Sequence, residues 1–341
     1  MHVPAARGPL SSALVEALRG VPGPVPAVRA AAEAAVAASL DVLADEDVQL
    51  ALLCMYELHY RGLDGVDEDW EWAPDLLAAR AVLEEAFEAA VRALVPVPDT
   101  PARSADEIAA ALFELTSADD GPGLSGYVAK RATDEQVREF VVHRSIYHLK
   151  EADPHSWALP RLSGRAKSAL IEVQADEYGG GRPGHIHSEL FAGTMRALGL
   201  DDADGAYLDL VPAPTLANVN LMSLFGLHRR LRGAIAGHLA AFEMTSSIPC
   251  RKYGNGFRRL GYGQDVTFYF DEHVEADAVH EQIAGRDLAG ALAEAEPQVR
   301  DDVLWGAAAY LAVDGLAGVQ MLQAWEAGRS ALRAPMAAVA V

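Results

Sequence analysis

Apolar residues return every three or four positions along most of this chain, which is the spacing that places them on one face of an α-helix. No stretch alternates apolar and polar positions convincingly enough to indicate a surface β-strand, and no internal repeat is visible. Glycine, proline and aspartate interrupt the pattern between segments. The pattern predicts helices over residues 9–19, 25–44, 45–61, 75–94, 104–116, 133–152, 166–178, 185–198, 215–225, 230–245, 264–284 and 297–325. We therefore expect an all-α fold.

The division of the chain into regions follows from where turn-forming residues concentrate. Ser104 and Glu107 have the spacing of a capping box, so a helix is expected to begin there. Residues 117–126 (SADDGPGLSG) have the composition of a linker. We expect an accessory helical region without catalytic residues over 1–120 and a main domain over 121–341. Residues 249–263 (PCRKYGNGFRRLGYG) are expected to form an irregular connection.

Composition and charge narrow the classes of function. The formal net charge of −21 argues against nucleic acid or an anionic membrane surface as a partner. The two cysteines are too few for a disulfide framework or a cysteine-rich zinc site. The first residues do not have the pattern of a secretion signal, and no apolar run approaches the roughly 20 residues that span a bilayer. A soluble, cytoplasmic protein is therefore expected.

The most informative stretch for chemistry is residues 264–283. His273, Asp277 and His280 stand at i, i+4 and i+7, on the helical stripe that also carries Phe270. Two imidazoles and a carboxylate are costly to bury unless they are paired or bind a metal. Such ligands suit iron, manganese or zinc. The alternative is a solvated acidic face with incidental histidines.

Further candidate ligands lie upstream, on segments that look directed inward. Glu177 and His187 flank the glycine-rich stretch 179–184. Glu151 ends a predicted helix, and Glu243 lies among apolar residues where an unpaired carboxylate would be costly. With the triplet, Glu177, His187 and one further Glu give three imidazoles and three carboxylates, which suits a carboxylate-rich diiron centre better than a single zinc.

The order of these residues resembles the heme-oxygenase-like diiron oxidases and oxygenases, also described as iron-containing redox enzymes. The family pattern is matched by Glu151, then Glu177-x9-His187, then His273-x3-Asp277-x2-His280. The phrases YHLKEADPHSW, IEVQADEYGGGRPGHIHSELF and TFYFDEHVEADAVHEQI resemble those of the group's N-oxygenases, and the likeness covers roughly residues 125–295.

Two choices within this ligand set rest on the resemblance. Glu151 is chosen as the third carboxylate because its segment matches the family phrase, with Glu243 as the runner-up. His187 is preferred to His185 because HSELF follows the ligand histidine in the family pattern.

The resemblance implies a heme-oxygenase-like helical bundle, two iron ions and O2 as co-substrate. Relatives oxidise small molecules by N-oxygenation of amines, oxidative C–C cleavage or desaturation, and an external electron donor is possible. We expect an amino acid or related amine as substrate, with decarboxylation or desaturation of a fatty-acid-like substrate as the alternative. Some relatives dimerise through an accessory region, so a homodimer is also expected.

A basic cluster offers one candidate for substrate binding. A substrate carboxylate could bind there, or the cluster could pair with the protein's excess of acidic groups. Its members are Arg251, Lys252, Arg258 and Arg259.

Two other classes of function remain open. A non-redox, thiaminase-like enzyme would use a cysteine, but neither Cys54 nor Cys250 stands beside an evident base. A metal-free binding protein would have no need of inward-facing ligands. Iron content per chain distinguishes both from the diiron hypothesis.

Overall fold

The computed structural model describes residues 1–118, 121 and 123–336, with the side chains of all of these except residues 275–278. Within these residues the regular secondary structure is helical and no β-strand occurs. The predicted all-α fold is therefore confirmed, and it is consistent with a heme-oxygenase-like arrangement.

The α-helices, in chain order, are α1 Pro9–Leu18, α2 Pro26–Ala38, α3 Glu46–Glu57, α4 Pro74–Leu94, α5 Ala105–Ala118, α6 Leu124–Lys130, α7 Asp134–His148, α8 Asp153–Ser156, α9 Gly164–Glu177, α10 His187–Ala197, α11 Ala213–Leu227, α12 Arg232–Met244, α13 Ser247–Arg259, α14 Gln264–Gln282, α15 Ala291–Ala295 and α16 Arg300–Glu326. Short 3-10 turns occupy Glu68–Trp72, Leu159–Arg161, Gly179–Gly181, Arg229–Leu231 and Pro297–Val299. A π-helix, Ile283–Gly290, joins α14 to α15.

Helix starts follow the local sequence. At the predicted capping box, the Glu107 carboxylate accepts from the backbone N–H of Ser104 at 3.0 Å, and the Ser104 hydroxyl accepts from the N–H of Glu107 at 3.3 Å. Thr133 and Gln136 make the same reciprocal pair before α7. The start of α5 is thus where the sequence predicts it, because these side chains satisfy N–H groups that a helix leaves unpaired.

α12 and α16 pack closely against each other, because glycines let the two backbones approach. A Cβ at Gly237 would lie 1.8 Å from the carbonyl oxygen of Val303, and one at Gly306 would lie 2.1 Å from that of Ala234. Pro297–Glu326 is long and apolar enough to cross a membrane by length and composition, but 56% of its apolar window is buried inside the protein. That burial is typical of the core helix of a soluble protein.

The prediction of an irregular connection over 249–263 is wrong, because α13 covers Ser247–Arg259. Pro249 lies in the first helical turn, where its missing N–H costs no intrahelical hydrogen bond. Gly256 faces α6, and a Cβ there would lie 2.6 Å from the carbonyl oxygen of Val128. Proline and glycine usually indicate a break in a helix. In α13, however, the proline is tolerated in the first turn and Gly256 allows close packing.

The accessory region and the main domain share one continuous apolar core. α3 packs on α11, and α5 packs on α12 and the π-helix. The Lys150 ammonium lies 2.5 Å from the Glu57 carboxylate, and both groups are buried. The division at residue 120 stays a prediction, although the two parts are in intimate contact.

Candidate metal centre

Four helices and one turn bring histidine and glutamate side chains to a common point. Glu151 lies in the turn after α7, and Glu177 is the last residue of α9. His187 is the first residue of α10. Glu243 comes from α12, and His273 and His280 come from α14. All six are buried, with at most 7% of their surface exposed.

The six residues form two groups that share one carboxylate. Glu151, Glu177, His187 and His273 each offer a ligand atom, and these atoms lie within 4.8 Å of one another. Glu177, Glu243 and His280 form a second group by the same measure. A carboxylate with two oxygens can contact one cation on each side, so this arrangement could hold two neighbouring metal ions.

The ring nitrogens of the three histidines test whether these residues fit a metal. Nδ1 of His187, Nε2 of His273 and Nδ1 of His280 are buried and make no hydrogen bond within the described part of the chain. His187 Nδ1 nevertheless lies 2.9 Å from a Glu177 oxygen, and His280 Nδ1 lies 3.4 Å from a Glu243 oxygen. Buried nitrogens that face carboxylates without hydrogen-bond geometry fit metal ligation, because a cation would satisfy both groups.

The opposite ring nitrogens of two histidines are held by hydrogen bonds. His273 Nδ1 donates to the carbonyl oxygen of Tyr269 at 2.8 Å, and His280 Nε2 donates to Asp176 at 3.1 Å. The Tyr269 hydroxyl in turn donates to the Glu151 carboxylate at 2.8 Å. Such bonds fix the tautomer and orientation of a ligand before a metal binds.

A glycine-rich break places Glu177 beside His187. Gly179, with φ of +67°, turns the chain so closely that a Cβ there would lie 2.5 Å from the carbonyl carbon of His185. The turn brings His187 into the centre and leaves His185 exposed. The structure thus brings the preferred histidine to the site and not its rival.

An unusual backbone conformation fixes the position of the segment that carries Glu151. Ala152, the residue that follows, has φ of +71° and is the one non-glycine residue with positive φ among those described. Its carbonyl oxygen accepts from the Gln174 side chain at 2.9 Å. Left-handed backbone at an alanine costs about 1–2 kcal/mol, so the surrounding contacts hold this turn against strain.

Burial and neighbouring charges shift the carboxyl groups in opposite directions. Burial, reinforced by Glu177, raises the pKa of Glu151 to about 8. Burial also acts to raise the pKa of Glu177, but the surrounding imidazoles, led by His187, outweigh it and hold that pKa below its usual value. In the metal-free protein Glu177 is therefore the ionised member of this pair at neutral pH.

The histidines divide in the same way. Burial lowers the pKa of His187, but Glu177 and then Glu151 outweigh it and raise the value to about 9. The pKa of His280 is also about 9, because Glu243 and Asp176 outweigh burial. Burial and the adjacent His187 lower the pKa of His273 to about 4. Two of the three histidines, His187 and His280, are therefore positively charged imidazolium groups at neutral pH in the metal-free protein. Metal binding has to displace the additional proton from each.

The predicted residues have the following outcomes in the structure. The sequence leaves Glu151 and Glu243 as alternatives, and the structure brings both to the centre, one in each group. The apolar neighbours of Glu243 indicate in the sequence that its carboxylate is buried. The family spacing pattern, however, has no position for a fourth carboxylate. The side chain of Asp277 lies outside the described residues. Sequence reasoning missed Asp176 and Tyr269, which act through hydrogen bonds across helices.

The basic cluster does not line the metal centre. Arg258 pairs with Asp271, and Arg259 donates to backbone carbonyls at the end of α6, including that of Ala132 at 2.6 Å. Arg251 is exposed, whereas Lys252 borders a cavity that reaches the centre. For Arg258 the structure agrees with the alternative of pairing with acidic groups, and substrate binding by the cluster stays a prediction.

That cavity has a volume of about 610 Å³ and opens beside Glu151, Tyr269 and His273. Its walls combine aromatic side chains with polar and charged ones, and α5 contributes Phe113 and Thr116 to them. Besides Phe113 and Tyr269, the phenylalanine and tyrosine residues that line it are Phe140, Phe242, Tyr253, Phe270 and Tyr310. A space of this size next to buried ligands suits a small organic substrate.

Two comparisons bear on the identity of this centre. The family model described as iron-containing redox enzyme matches residues 138–315, a range that contains every residue of both groups. The chain is also similar to a nitrosourea synthase from Streptomyces achromogenes subsp. streptozoticus, with 27% identity over 195 residues. That match covers 57% of this chain and 41% of the relative, so the chain spans less than half the length of that protein.

Proposed function

The chain belongs to the iron-containing redox enzymes, and from that premise we propose that it is an O2-dependent, non-heme diiron oxidase or oxygenase acting on a small molecule. Membership makes it an iron-binding oxidoreductase. The number of irons, the use of O2 and the reaction are the proposal.

The observation that supports two irons is the sharing of Glu177 between the two groups of ligand atoms. Glu151, His187 and His273 would complete one iron site, and Glu243 and His280 the other. The spacing His273-x3-Asp277-x2-His280 adds Asp277 as an expected ligand. Oxygen and imidazole ligands without a thiolate suit iron.

The bound irons would supply the redox chemistry for activating O2, and the chain's own groups prepare the site for them. Glu151, Glu177 and Glu243 offset the charge of two cations in a buried place. Asp176 and the Tyr269 backbone orient two imidazoles. The aromatic residues of the cavity wall would shield the reacting end of a substrate from water.

For the reaction we favour N-oxygenation or oxidative C–C cleavage of an amino acid or related amine in specialised metabolism. The relative is named for synthesis of a nitrosourea, a class of compound with oxygen on nitrogen. The second candidate is decarboxylation or desaturation of a fatty-acid-like substrate. O2 uptake by the Fe(II)-loaded protein, stimulated by amino acids and not by fatty acids, would support the first choice, and the reverse would contradict it.

Iron content tests the metal centre. We expect two irons per chain after anaerobic Fe(II) loading and gel filtration of the wild-type protein. Glu177→Ala should retain almost none, because it removes a ligand from both sites, whereas Glu243→Ala should retain about one.

Glu172→Ala is the matched control, since Glu172 is an exposed residue of the same helix α9. It should retain both irons. One iron in the wild-type protein, or equal losses in Glu172→Ala and Glu177→Ala, contradicts the diiron proposal.

A further inference from the structure

The cavity beside the metal centre contains a charged pair that the centre itself does not use. Arg144 of α7 and Asp314 of α16 both line the cavity, with Arg144 Nη1 at 2.9 Å from Asp314 Oδ1. Their side chains are 21% and 27% exposed. A pair of opposite charges loses part of its hydration in such a cavity, so its presence calls for a ligand or a structural reason.

A purely structural pair would use up its hydrogen-bonding groups, and this one does not. Asp314 Oδ1 accepts both from Arg144 and from Asn218 Nδ2 at 2.9 Å. Within the described residues no hydrogen bond engages Asp314 Oδ2, and the Arg144 guanidinium contacts the Tyr253 hydroxyl as well as Asp314 Oδ1. A guanidinium has five N–H donors, so donors and an acceptor remain side by side.

There is open space next to this pair. A Cβ at Gly315, the residue after Asp314 and also part of the cavity wall, would meet no atom within 4 Å. Tyr253 lies beside the Arg144 guanidinium on the same wall. A ligand could therefore approach both charges without a rearrangement of the backbone.

We propose that Arg144 and Asp314 clamp the α-carboxylate and α-ammonium groups of a free α-amino acid, whose side chain then extends along α7 to the metal centre. This inference rests on the proposed function, in that it assigns the substrate of the same site. Arginine matches a carboxylate through paired N–H groups, and a carboxylate oxygen accepts from an ammonium group.

The two charges together exclude simpler ligands. A fatty acid would bring its carboxylate against Asp314, and a simple amine would bring its ammonium against Arg144. Like charges at close range oppose binding, so only a ligand that carries both groups complements both side chains.

The spacing along α7 sets which part of the ligand meets the metal centre. Glu151 follows Arg144 by seven residues, with His148 between them on the cavity wall. The helix continues from Arg144 to His148, a rise of about 6 Å over four residues, and a turn then carries the chain to Glu151. A clamped head group therefore lies about one helical turn or more from the metal ligands, and the end of an extended side chain, rather than Cα, would approach them.

Binding of matched analogues tests the clamp. Isothermal titration calorimetry of the anaerobic Fe(II)-loaded protein would use the twenty common amino acids with ornithine and norleucine. Each binder is then compared with its analogue lacking the α-amino group and its analogue lacking the α-carboxylate, as 6-aminohexanoate and 1,5-diaminopentane are for lysine. We expect at least one amino acid to bind and each analogue to bind at least 10-fold more weakly.

Variants locate the effect in the protein. Arg144→Gln and Asp314→Asn should each weaken binding at least 10-fold, and Gly315→Leu should block it by filling the open space. The control variant is Asp302→Asn. Asp302 is on the same helix as Asp314, α16, but pairs with Arg92 of α4, so this variant should bind the amino acid as the wild type does. Circular dichroism and melting temperature check that each variant is folded.

The orientation has its own readout. In protein loaded with Mn(II), paramagnetic broadening of the ligand's proton signals should be stronger for the end of the side chain than for Hα. Stronger broadening of Hα, equal binding of the analogues, or binding of a fatty acid but of no amino acid overturns the proposal. Calorimetry does not need turnover, so these outcomes are distinct from a failure to retain two irons, which would count against the proposed function alone.

Discussion

Asp176 is an exposed residue that acts on a buried one. Its carboxylate accepts from Nε2 of His280 at 3.1 Å and leaves Nδ1 directed at Glu177 and Glu243. With 64% of its side chain exposed, Asp176 contributes little to the core. Its contribution is to orient an imidazole rather than to contact a metal.

We predict that Asp176→Ala weakens iron retention by about 10-fold to 100-fold, the usual effect of losing a hydrogen bond to a ligand. Asp176→Asn, which keeps an acceptor oxygen, should retain more iron. The rate at which ferrozine removes Fe(II) measures the loss, and urea unfolding should change little. Unchanged removal rates in both variants would show that His280 needs no such support.

The protonation of the centre predicts a pH dependence of the metal-free protein. The pKa values of His187 and His280 are about 9 in the folded protein and 6.5 ordinarily. Folding therefore strengthens proton binding, so the stabilisation is complete below pH 6.5 and is lost as pH rises to about 9. Glu151 acts in the same direction between its ordinary 4.5 and about 8. His273, at about 4, has its effect below pH 6.5.

Thermal unfolding of metal-free protein between pH 6.5 and 9 should thus show a falling Tm. Because metal binds the deprotonated histidines, the increase in Tm given by Mn(II) should grow over the same range. The double variant His187→Gln/His280→Gln should show a flatter profile. A Tm that rises with pH in the wild-type protein contradicts the assignment.

Individual residues differ in how far the sequence predicts them. The spacing of His273 and His280 is visible because both lie on one helix, where period and face are linked. Asp176 and Tyr269 act across helices, and their role depends on packing that no local pattern encodes. Because packing across helices is not visible in the sequence, Glu151 and Glu243 are alternatives for one ligand position there. The fold shows that each belongs to a different group.

At the scale of elements, the break between α9 and α10 is the part of the centre with the strictest backbone requirement. Gly179→Ala would introduce a residue at φ of +67° and a Cβ 2.5 Å from the backbone of His185. We predict a loss of about 2–4 kcal/mol in the free energy of unfolding, together with weaker iron retention as His187 is displaced.

Gly181→Ala is the matched control, because its φ is +73° but its Cβ would meet no atom within 4 Å. It should cost only about 1–2 kcal/mol, the strain of the left-handed backbone, and retain iron. Urea unfolding and iron content of both variants provide the measurements. Equal effects in the two variants would mean that strain alone, and not the close approach, decides.

The sequence predicts helix positions well where apolar periodicity is strong. The prediction is wrong where glycine and proline occur inside a helix. The segment of α13 carries a proline, two glycines and a basic cluster, which together indicate a loop. Gly256 instead faces α6, where a larger residue would collide with Val128, and a Cβ at Gly254 would press on the Arg258 side chain that pairs with Asp271 of α14. The sequence shows that a side chain is missing but not what occupies its space.

At the scale of the whole molecule, one buried ion pair links α3 to the segment that carries Glu151. Lys150 immediately precedes Glu151 and pairs with Glu57 at 2.5 Å, with the two side chains 2% and 0% exposed. Removing one partner of such a pair leaves a buried, unpaired charge.

We predict that Glu57→Gln lowers the free energy of unfolding by about 3–5 kcal/mol and weakens iron retention, although Glu57 is not near the metal centre in sequence. The double variant Glu57→Gln/Lys150→Met should recover much of the stability, because the unpaired charge is gone. Urea unfolding measures both. A double variant no more stable than the single one would show that the pair itself, rather than an orphaned charge, is what matters.

The position of α5 has a consequence for how this enzyme diversifies. Residues 105–118 lie outside the stretch 138–315 that the family model matches, yet Phe113 and Thr116 line the cavity beside the metal centre. Mutations in α5 can reshape the outer wall of the cavity while every metal ligand stays unchanged. Selection for a new substrate can therefore act on α5 and leave the metal ligands intact. Across homologues, we expect α5 to vary more than the ligand-bearing helices, and the substrate to vary more than the type of reaction.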